Sequence, residues 1–192
     1  MNGFMKDFII TTDSTTDLPA SYVNEHHLGM MSLPYTIENQ TYTWEHSLPE
    51  KEFYAMMRNG SLPTTSQANP EEAENLFENI IRTQDVDILH IAFSSGLSGT
   101  YNSAVLGKEL YEEEHGKGKK NILVIDSESA SAGELNEALA IRDMYEEGLV
   151  FSEISERILK MRDEQQTYFV IDTLEPLRKN GRLTGLQAFF AT

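Results

Sequence analysis

Residues 86–100, VDILHIAFSSGLSGT, decide the fold of this chain. The first part, 86–93, is a short and largely apolar run whose length is typical of a buried strand. The second part, 94–100, combines hydroxyl side chains with two glycines, and a helical pattern follows it. A loop that only turned the chain would need one glycine and a polar neighbour or two. We therefore predict a strand, a loop and a helix, with loop amides that approach a negatively charged group.

Short apolar runs alternate with amphipathic stretches along the whole chain of 192 residues. Strands and helices that alternate at this spacing indicate an α/β fold, with a mostly parallel central sheet and helices on both faces. We expect this domain to fill about residues 1–165, and a second lobe to begin within 166–192. The predicted strands are 8–10, 30–37, 40–43, 86–93, 122–125 and 167–171, and the predicted helices are 18–27, 50–58, 70–82, 98–114, 132–147, 152–163 and 174–179.

Hydroxyl side chains follow four of the predicted strands. Three strands end in an acid and a hydroxyl, at Asp13-Ser14, Asp126-Ser127 and Asp172-Thr173, and the strand 86–93 ends in Ser94-Ser95. Ligands of open α/β sheets lie beyond the carboxyl ends of the strands, so these hydroxyls would line one cleft. The alternative is that each of these residues only caps the helix that follows it.

The composition excludes several classes of partner. The formal net charge is −16 and the pI is about 4.6, whereas nucleic-acid binding requires a cationic surface. The same charge repels anionic membranes, and no apolar run approaches the ~20 residues of a membrane span. The N-terminus lacks the pattern of a signal peptide, and there is no cysteine. We therefore expect a cytoplasmic protein that does not insert into membranes.

The sequence gives little support to catalysis by this chain itself. The stretch Gly96-Leu97-Ser98-Gly99 misses the G-x-S-x-G spacing of a serine hydrolase by one residue. His90 lies within a strand pattern and is expected to be a packed core residue. The phosphate-binding P-loop and the dinucleotide fingerprint are both absent, and no metal-binding histidine spacing occurs. We predict no catalytic residue, no metal site and no cofactor.

A second polar stretch, Pro63-Thr64-Thr65-Ser66-Gln67, supplies three hydroxyls and an amide with no charge. It is either a simple connection between two helices or part of a binding site. Together with Ser95 and Ser98 it would surround a carboxylate or a phosphate with neutral donors, and the helix at 98–114 would add its N-terminal amides and dipole. Neutral donors suit an anion that must be released or handed on, because an arginine clamp would hold it more tightly.

These stretches resemble the motifs of the DegV family. Residues 12–19 (TDSTTDLP) are similar to its opening motif, 65–67 (TSQ) to its second, and 94–104 (SSGLSGTYNSA) to its third. Residues 124–127 (VIDS) resemble the fourth motif, and 177–183 (LRKNGRL) resemble the segment that leads into the C-terminal lobe. The five motifs occur in the family's order and span nearly the whole chain.

The resemblance implies a non-catalytic protein that binds one long-chain fatty acid and presents its carboxylate to a separate fatty acid kinase, which makes the acyl phosphate for phospholipid synthesis. By the same resemblance, Thr65 and Ser98 would hold the carboxylate, with Ser66 and Ser95 close by and Ser14 at the rim.

Two features depart from the family's pattern. Ala68 stands where the family usually has proline after T-S-Q, and family members continue beyond residue 192. We therefore expect the C-terminal lobe, which adds a carboxylate contact and part of the tunnel wall, to be incomplete.

The alternative function is an enzyme, or an enzyme subunit, that acts on a small phosphorylated or hydroxylated metabolite with Ser95 or Ser98 as its nucleophile.

Overall fold

The computed structural model describes residues 7–168, 170 and 174–182. Their contacts group into two compact units, one drawn from 1–33 and 67–167 and the other from 34–66 and 168–192. The strands are β1 Phe8–Asp13, β2 Gly29–Met31, β3 Tyr35–Ile37, β4 Gln40–Tyr42, β5 Thr64–Thr65, β6 Asp87–Ala92 and β7 Ile122–Asp126, and the helices are α1 Ala20–Glu25, α2 Glu50–Arg58, α3 Pro70–Gln84, α4 Thr100–His115, α5 Ala132–Glu146, α6 Phe151–Glu164 and α7 Glu175–Lys179.

The first unit contains a four-stranded sheet in the order β2-β1-β6-β7. Every neighbouring pair in this sheet is parallel. In the register, Ile9 of β1 lies beside Ile88 of β6, and Ile88 lies beside Ile122 of β7. The sheet and its flanking helices confirm the predicted α/β fold with a parallel central sheet.

One face of the sheet packs against α3 and α4. Ile9 and Ile88 project from this face and are buried with Phe77 of α3 and Tyr111 of α4. The two helices approach closely at Gly107, where an added Cβ would lie 2.6 Å from the Cβ of Ala73. Glycine is therefore required at this position of α4.

The opposite face packs against α5 and α6. Because side chains alternate along a strand, Phe8 and Ile10 of β1 point to this face, where they are buried with Ile141 of α5 and Ile154 of α6. The two central strands, β1 and β6, thus bury side chains on both faces of the sheet, which explains their near-continuous apolar runs.

Helix ends follow the local chemistry of the sequence. Asn69 caps α3, since its side chain accepts from the amide of Glu71 and the side chain of Glu72 reaches back to the amide of Asn69. The helix continues to Gln84, two residues past its predicted end, and stops where Asp85 adopts a left-handed conformation with φ 54°. Helix α2 has the bounds that the sequence predicts.

The second unit contains an antiparallel three-stranded sheet in the order β4-β3-β5. The hairpin of β3 and β4 turns at Glu38 and Asn39, both with positive φ, as a tight two-residue hairpin requires. The prediction of one strand over 30–37 is wrong, because β2 and β3 belong to different sheets. Pro34 lies between them and cannot donate a ladder hydrogen bond.

The two compact units alternate along the chain, since residues 34–66 and 67–167 fall in different units. The division into a domain over 1–165 and a second lobe from 166 stays a prediction. The strand predicted at 167–171 is not observed at Thr167, Tyr168 or Val170. Its other residues, and the predicted hydroxyl at Asp172-Thr173, lie outside the described residues.

Candidate functional site

The carboxyl ends of β1 and β6 form the switch point of the parallel sheet. The chain leaves β1 toward β2 on one side and leaves β6 toward β7 on the other. Such a divergence opens a crevice between two loops, which is where open α/β sheets bind their ligands. Asp13 ties the two strand ends together, since its Oδ2 accepts a 2.7 Å hydrogen bond from the amide of Phe93.

The acids at the strand ends hold loops in place. Asp13 is also the N-cap of the 3-10 turn Ser14–Thr16, and its Oδ1 accepts from the amide of Thr15 at 2.9 Å. Asp126 joins the loops after β6 and β7, because its Oδ1 accepts from the amides of Ser95 at 3.0 Å and Glu128 at 3.1 Å. Their carboxylates therefore stabilise the loops that carry the predicted hydroxyls.

The loop after β6 is a compact turn. Buried Ser94 donates its amide to the carbonyl of Ser129 at 3.0 Å, and its own carbonyl accepts from the amides of Leu97 and Ser98. Ser95 is exposed at the outer side of this turn. The turn leads directly into α4, as the strand, loop and helix of the sequence predict.

Ser98 lies just before the first turn of α4. The sequence predicts a helix start at residue 98, but α4 begins at Thr100 with Gly99 as its N-cap. The Ser98 Oγ accepts from the amide of Thr100 at 3.2 Å and lies 2.9 Å from the Oγ1 of Thr100. When the Thr100 hydroxyl donates to Ser98, the proton of Ser98 is left for a further acceptor.

Residues 67–68, which continue the T-S-Q stretch, attach to the N-terminal part of α4. Gln67 donates its side-chain amide to Ser103 Oγ at 3.2 Å, and the amide of Ala68 donates to Thr100 Oγ1 at 3.3 Å. A Cβ on Gly99 would collide with the Gln67 side chain. Two motifs distant in sequence thus meet, and the glycine of the S-G-T stretch was the signal that could have indicated it.

Ser14 occupies the end of β1. It is half-buried, and its Oγ accepts from the amide of Leu33 at 3.0 Å. This bond leaves the hydroxyl proton of Ser14 available, because the oxygen acts only as an acceptor in it. The structure therefore brings Ser14, Ser95 and Ser98 to the loops at one edge of the sheet in the first unit.

Thr65 and Ser66 belong to the second unit. Thr65 is exposed on β5, and its Oγ1 lies 3.3 Å from the Arg182 guanidinium, which donates to it. The amide of exposed Ser66 donates to the carbonyl of Pro34 at 3.0 Å. The joint binding of one ligand by these residues and by Ser98 stays a prediction.

His90 is fully buried on the sheet face that packs against α3. Its Nδ1 lies 2.9 Å from the Oγ1 of Thr11, and its ring packs edge-on against Phe77. Burial lowers the pKa of His90 to about 3, so the ring is neutral at physiological pH. The prediction of a packed core residue is confirmed.

The sequence did not indicate one polar cluster at this edge. Glu134 of α5 is fully buried; the hydroxyl of Thr12 donates to its Oε1, and the hydroxyl of Thr15 lies 2.8 Å from its Oε2. It shares the Thr15 hydroxyl with Asp13. Two buried carboxyls thus lie beneath the loops at the switch point.

The described part of the chain contains neither a metal-binding cluster nor a membrane-spanning helix. No group of three or more histidine, aspartate or glutamate side chains in this part is placed to hold a metal ion. No described helix is long and apolar enough to cross a membrane.

Comparison with known proteins places this fold in a family. The model of a family described as "Uncharacterised protein, DegV family" matches residues 7–192. A DegV domain-containing protein of Clostridium perfringens is 33% identical over 186 residues, which cover 96% of this chain and 63% of that protein. The chain thus spans less than two thirds of the relative's length.

Two solved structures have folds similar to that of this chain. A DegV family protein of Ruminococcus gnavus, described with vaccenic acid, has a TM-score of 0.83 and 36% identity over 95% of this chain and 63% of its own. The fatty acid kinase B3 protein of Streptococcus pneumoniae, loaded with linoleic acid, has a TM-score of 0.77 and 26% identity over 94% of this chain and 63% of its own.

Proposed function

Because the chain belongs to the DegV family, we propose that it binds one long-chain fatty acid and acts as a carrier without catalysing a reaction. Related structures from two organisms, at 36% and 26% identity, are described with vaccenic and linoleic acid. A family of shared fold can host several functions, so the proposal also requires a suitable site in this chain.

The observation that carries the proposal is the loop before α4 at the switch point. Ser98 accepts from the Thr100 amide and, when the Thr100 hydroxyl also donates to it, keeps its own proton for an anion. The helix of 16 residues that follows adds a favourable dipole at this end. A fatty-acid carboxylate is an anion that uncharged hydroxyl donors of this kind can hold.

We assign the carboxylate site to five hydroxyl side chains. Ser98 and Thr65 donate directly, Ser95 and Ser66 are their neighbours, and Ser14 lies at the rim. The exposure of Thr65, Ser66 and Ser95 supports the assignment, since these hydroxyls can reach a ligand from the surface. We also propose that residues 166–192 begin a second lobe.

The partner that receives the fatty acid is proposed to be a separate fatty acid kinase in the cytoplasm. The support is the Streptococcus pneumoniae structure, which is described as a fatty acid kinase B3 protein. A carboxylate held by the uncharged hydroxyls assigned to this site stays available to a phosphoryl donor, and the Arg182 guanidinium donates to one of them, Thr65, at 3.3 Å.

Extraction of the purified protein into organic solvent, followed by mass spectrometry, tests the proposal. The expected result is one C16 to C18 fatty acid per chain, which requires an apolar tunnel on the order of 20 Å deep. Protein without lipid should then bind added oleate in native mass spectrometry. Absence of both signals, with turnover of a small phosphorylated metabolite that Ser98→Ala abolishes, would instead favour an enzyme with a serine nucleophile.

A further inference from the structure

A buried chain of hydrogen bonds joins α5 to the loop that precedes α4. The hydroxyl of Thr12 donates to Glu134 Oε1 at 2.9 Å, across 122 residues of sequence. The hydroxyl of Thr15 lies 2.8 Å from Glu134 Oε2 and 2.6 Å from Asp13 Oδ1. Asp13 in turn accepts the amide of Phe93, the last residue before the loop.

The hydrogen count of this network favours an additional proton. A threonine hydroxyl has one hydrogen and can donate to one of two carboxylates. If Asp13 and Glu134 were both ionised, one of the two short contacts of Thr15 would join two acceptors without a hydrogen. A proton on one of the two carboxyls, donated to Thr15, gives each short contact a hydrogen of its own.

The proton belongs on Glu134 rather than on Asp13. Asp13 accepts two backbone amides, from Thr15 at 2.9 Å and from Phe93 at 2.7 Å, and such bonds favour a charged carboxylate. Glu134 is fully buried and has hydroxyl partners only among these contacts. With Glu134 protonated, Oε2–H donates to Thr15, Thr15 donates to Asp13, and each contact has its hydrogen.

We propose that Glu134 is held protonated and serves as a positioning residue for the loop at the anion site, donating to Thr15 so that Asp13 keeps the Phe93 amide fixed. Only its consequence for the ligand rests on the proposed function: a neutral Glu134 leaves one buried negative charge, instead of two, beneath the carboxylate site. Like charges there would oppose the binding of an anion.

The electrostatic surroundings agree with this assignment. The acidic groups that face Glu134 among the described residues are Asp13, from β1, and Glu137, one turn further along α5, whose own pKa is raised to about 8 by burial. Burial first, and then the charge of Asp13, raise the pKa of Glu134 well above its ordinary value. Since both neighbours are acids, the protonated form is the one that its environment stabilises.

The first experiment reads the proton directly in the protein without lipid. In a sample labelled with 13C at the side-chain carboxyl of glutamate, the Glu134 signal is assigned by its loss in Glu134→Gln. It should keep the chemical shift of a protonated carboxyl at pH 6, where surface glutamates are ionised. A Glu134 signal that titrates with the surface glutamates, near pH 4 to 5, would overturn the proposal.

The second experiment reads the loop through hydrogen exchange of the Phe93 amide. Glu134→Leu removes the donor and should lower the protection factor of this amide about ten- to a hundredfold, the scale of losing a hydrogen bond to a charged group. Glu134→Gln should restore slow exchange, because its amide donates to Thr15 while its carbonyl accepts from Thr12. Equal loss of protection in both variants would contradict a donor at this position.

Glu137→Gln is the matched control, since Glu137 is equally buried on α5 but its carboxyl accepts from Gln165 at 3.3 Å instead. It should leave exchange of the Phe93 amide unchanged. If Glu134→Leu does not fold, the carboxyl titration and Glu134→Gln still decide the question. Neither measurement needs a fatty acid. If Glu134 is protonated but no lipid is extracted from the protein, the proposed function is refuted and the proposal for Glu134 stands.

Discussion

Replacing Ser98 with alanine tests whether its hydroxyl recognises the ligand or only supports the helix. Its bond from the Thr100 amide, at 3.2 Å, is a long one, so its loss should lower the free energy of unfolding by about 0.5–1 kcal/mol, the lower range for a lost cap. When the Thr100 hydroxyl donates to Ser98, the proton of Ser98 is free to donate to a charged carboxylate. Loss of that bond costs about 1.5–3 kcal/mol, or about ten- to a hundredfold in affinity.

The two effects are measured on the same variant, by urea denaturation and by titration with a fluorescent fatty acid. Ser155→Ala is the control, since it removes a hydroxyl that donates to the carbonyl of Phe151 within α6. It should change stability slightly and leave affinity unaltered. If Ser98→Ala loses stability while binding fatty acid as tightly as the unsubstituted protein, Ser98 is a cap alone and the assignment of the site fails.

Three further predictions follow from the structure. Thr65→Ala should weaken fatty-acid binding about tenfold or more while Thr65→Ser retains most of it, as isothermal titration would show; equal affinities of the two variants would contradict a role for the hydroxyl. His90 stays neutral in the fold down to its pKa of about 3, whereas in the unfolded chain it takes up a proton below about 6.5. Stability should therefore fall as pH decreases from 6.5 toward 3, by up to about 1.4 kcal/mol per pH unit, and parallel stability curves for His90→Leu and the unsubstituted protein would contradict this. Gly107→Ala should lower the free energy of unfolding by about 1–3 kcal/mol, because its Cβ would lie 2.7 Å from the carbonyl oxygen of Pro70; an unchanged urea midpoint would show that the two helices can separate freely.

The parallel sheet could be predicted because its signals are local. Strands buried on both faces are continuous apolar runs, and the runs at β1, β6 and β7 stand out between amphipathic stretches. The split of 30–37 into two strands was missed, although Pro34 could have indicated it.

The residues that support the candidate site could not all be predicted in this way. In the sequence, Glu134 is one acidic residue in the pattern of a partly buried helix. Its partners Thr12 and Thr15 lie about 120 residues away. Nothing in a local pattern indicates which side chain such a helix presents to a distant loop. Gln67 was recognised as a donor, but its contact with Ser103 depends on how α3 and α4 pack.

The strand-end acids explain how an acidic chain can present a site for an anion. Asp126 accepts hydrogen bonds from the amides of Ser95 and Glu128, and Asp13 accepts one from the amide of Phe93. Hydrogen bonds from amides stabilise these negative charges inside the sheet edge. The capping interpretation therefore applies to the acids. Of the hydroxyls beside them, Ser14 keeps its proton to donate, whereas buried Ser127 donates to the carbonyl of Ser129 at 3.2 Å. Capping by Asp13 is thus compatible with the proposed binding by Ser14, because the two use different atoms of one short motif: a carboxylate that fixes the loop, and a hydroxyl that the fixed loop presents.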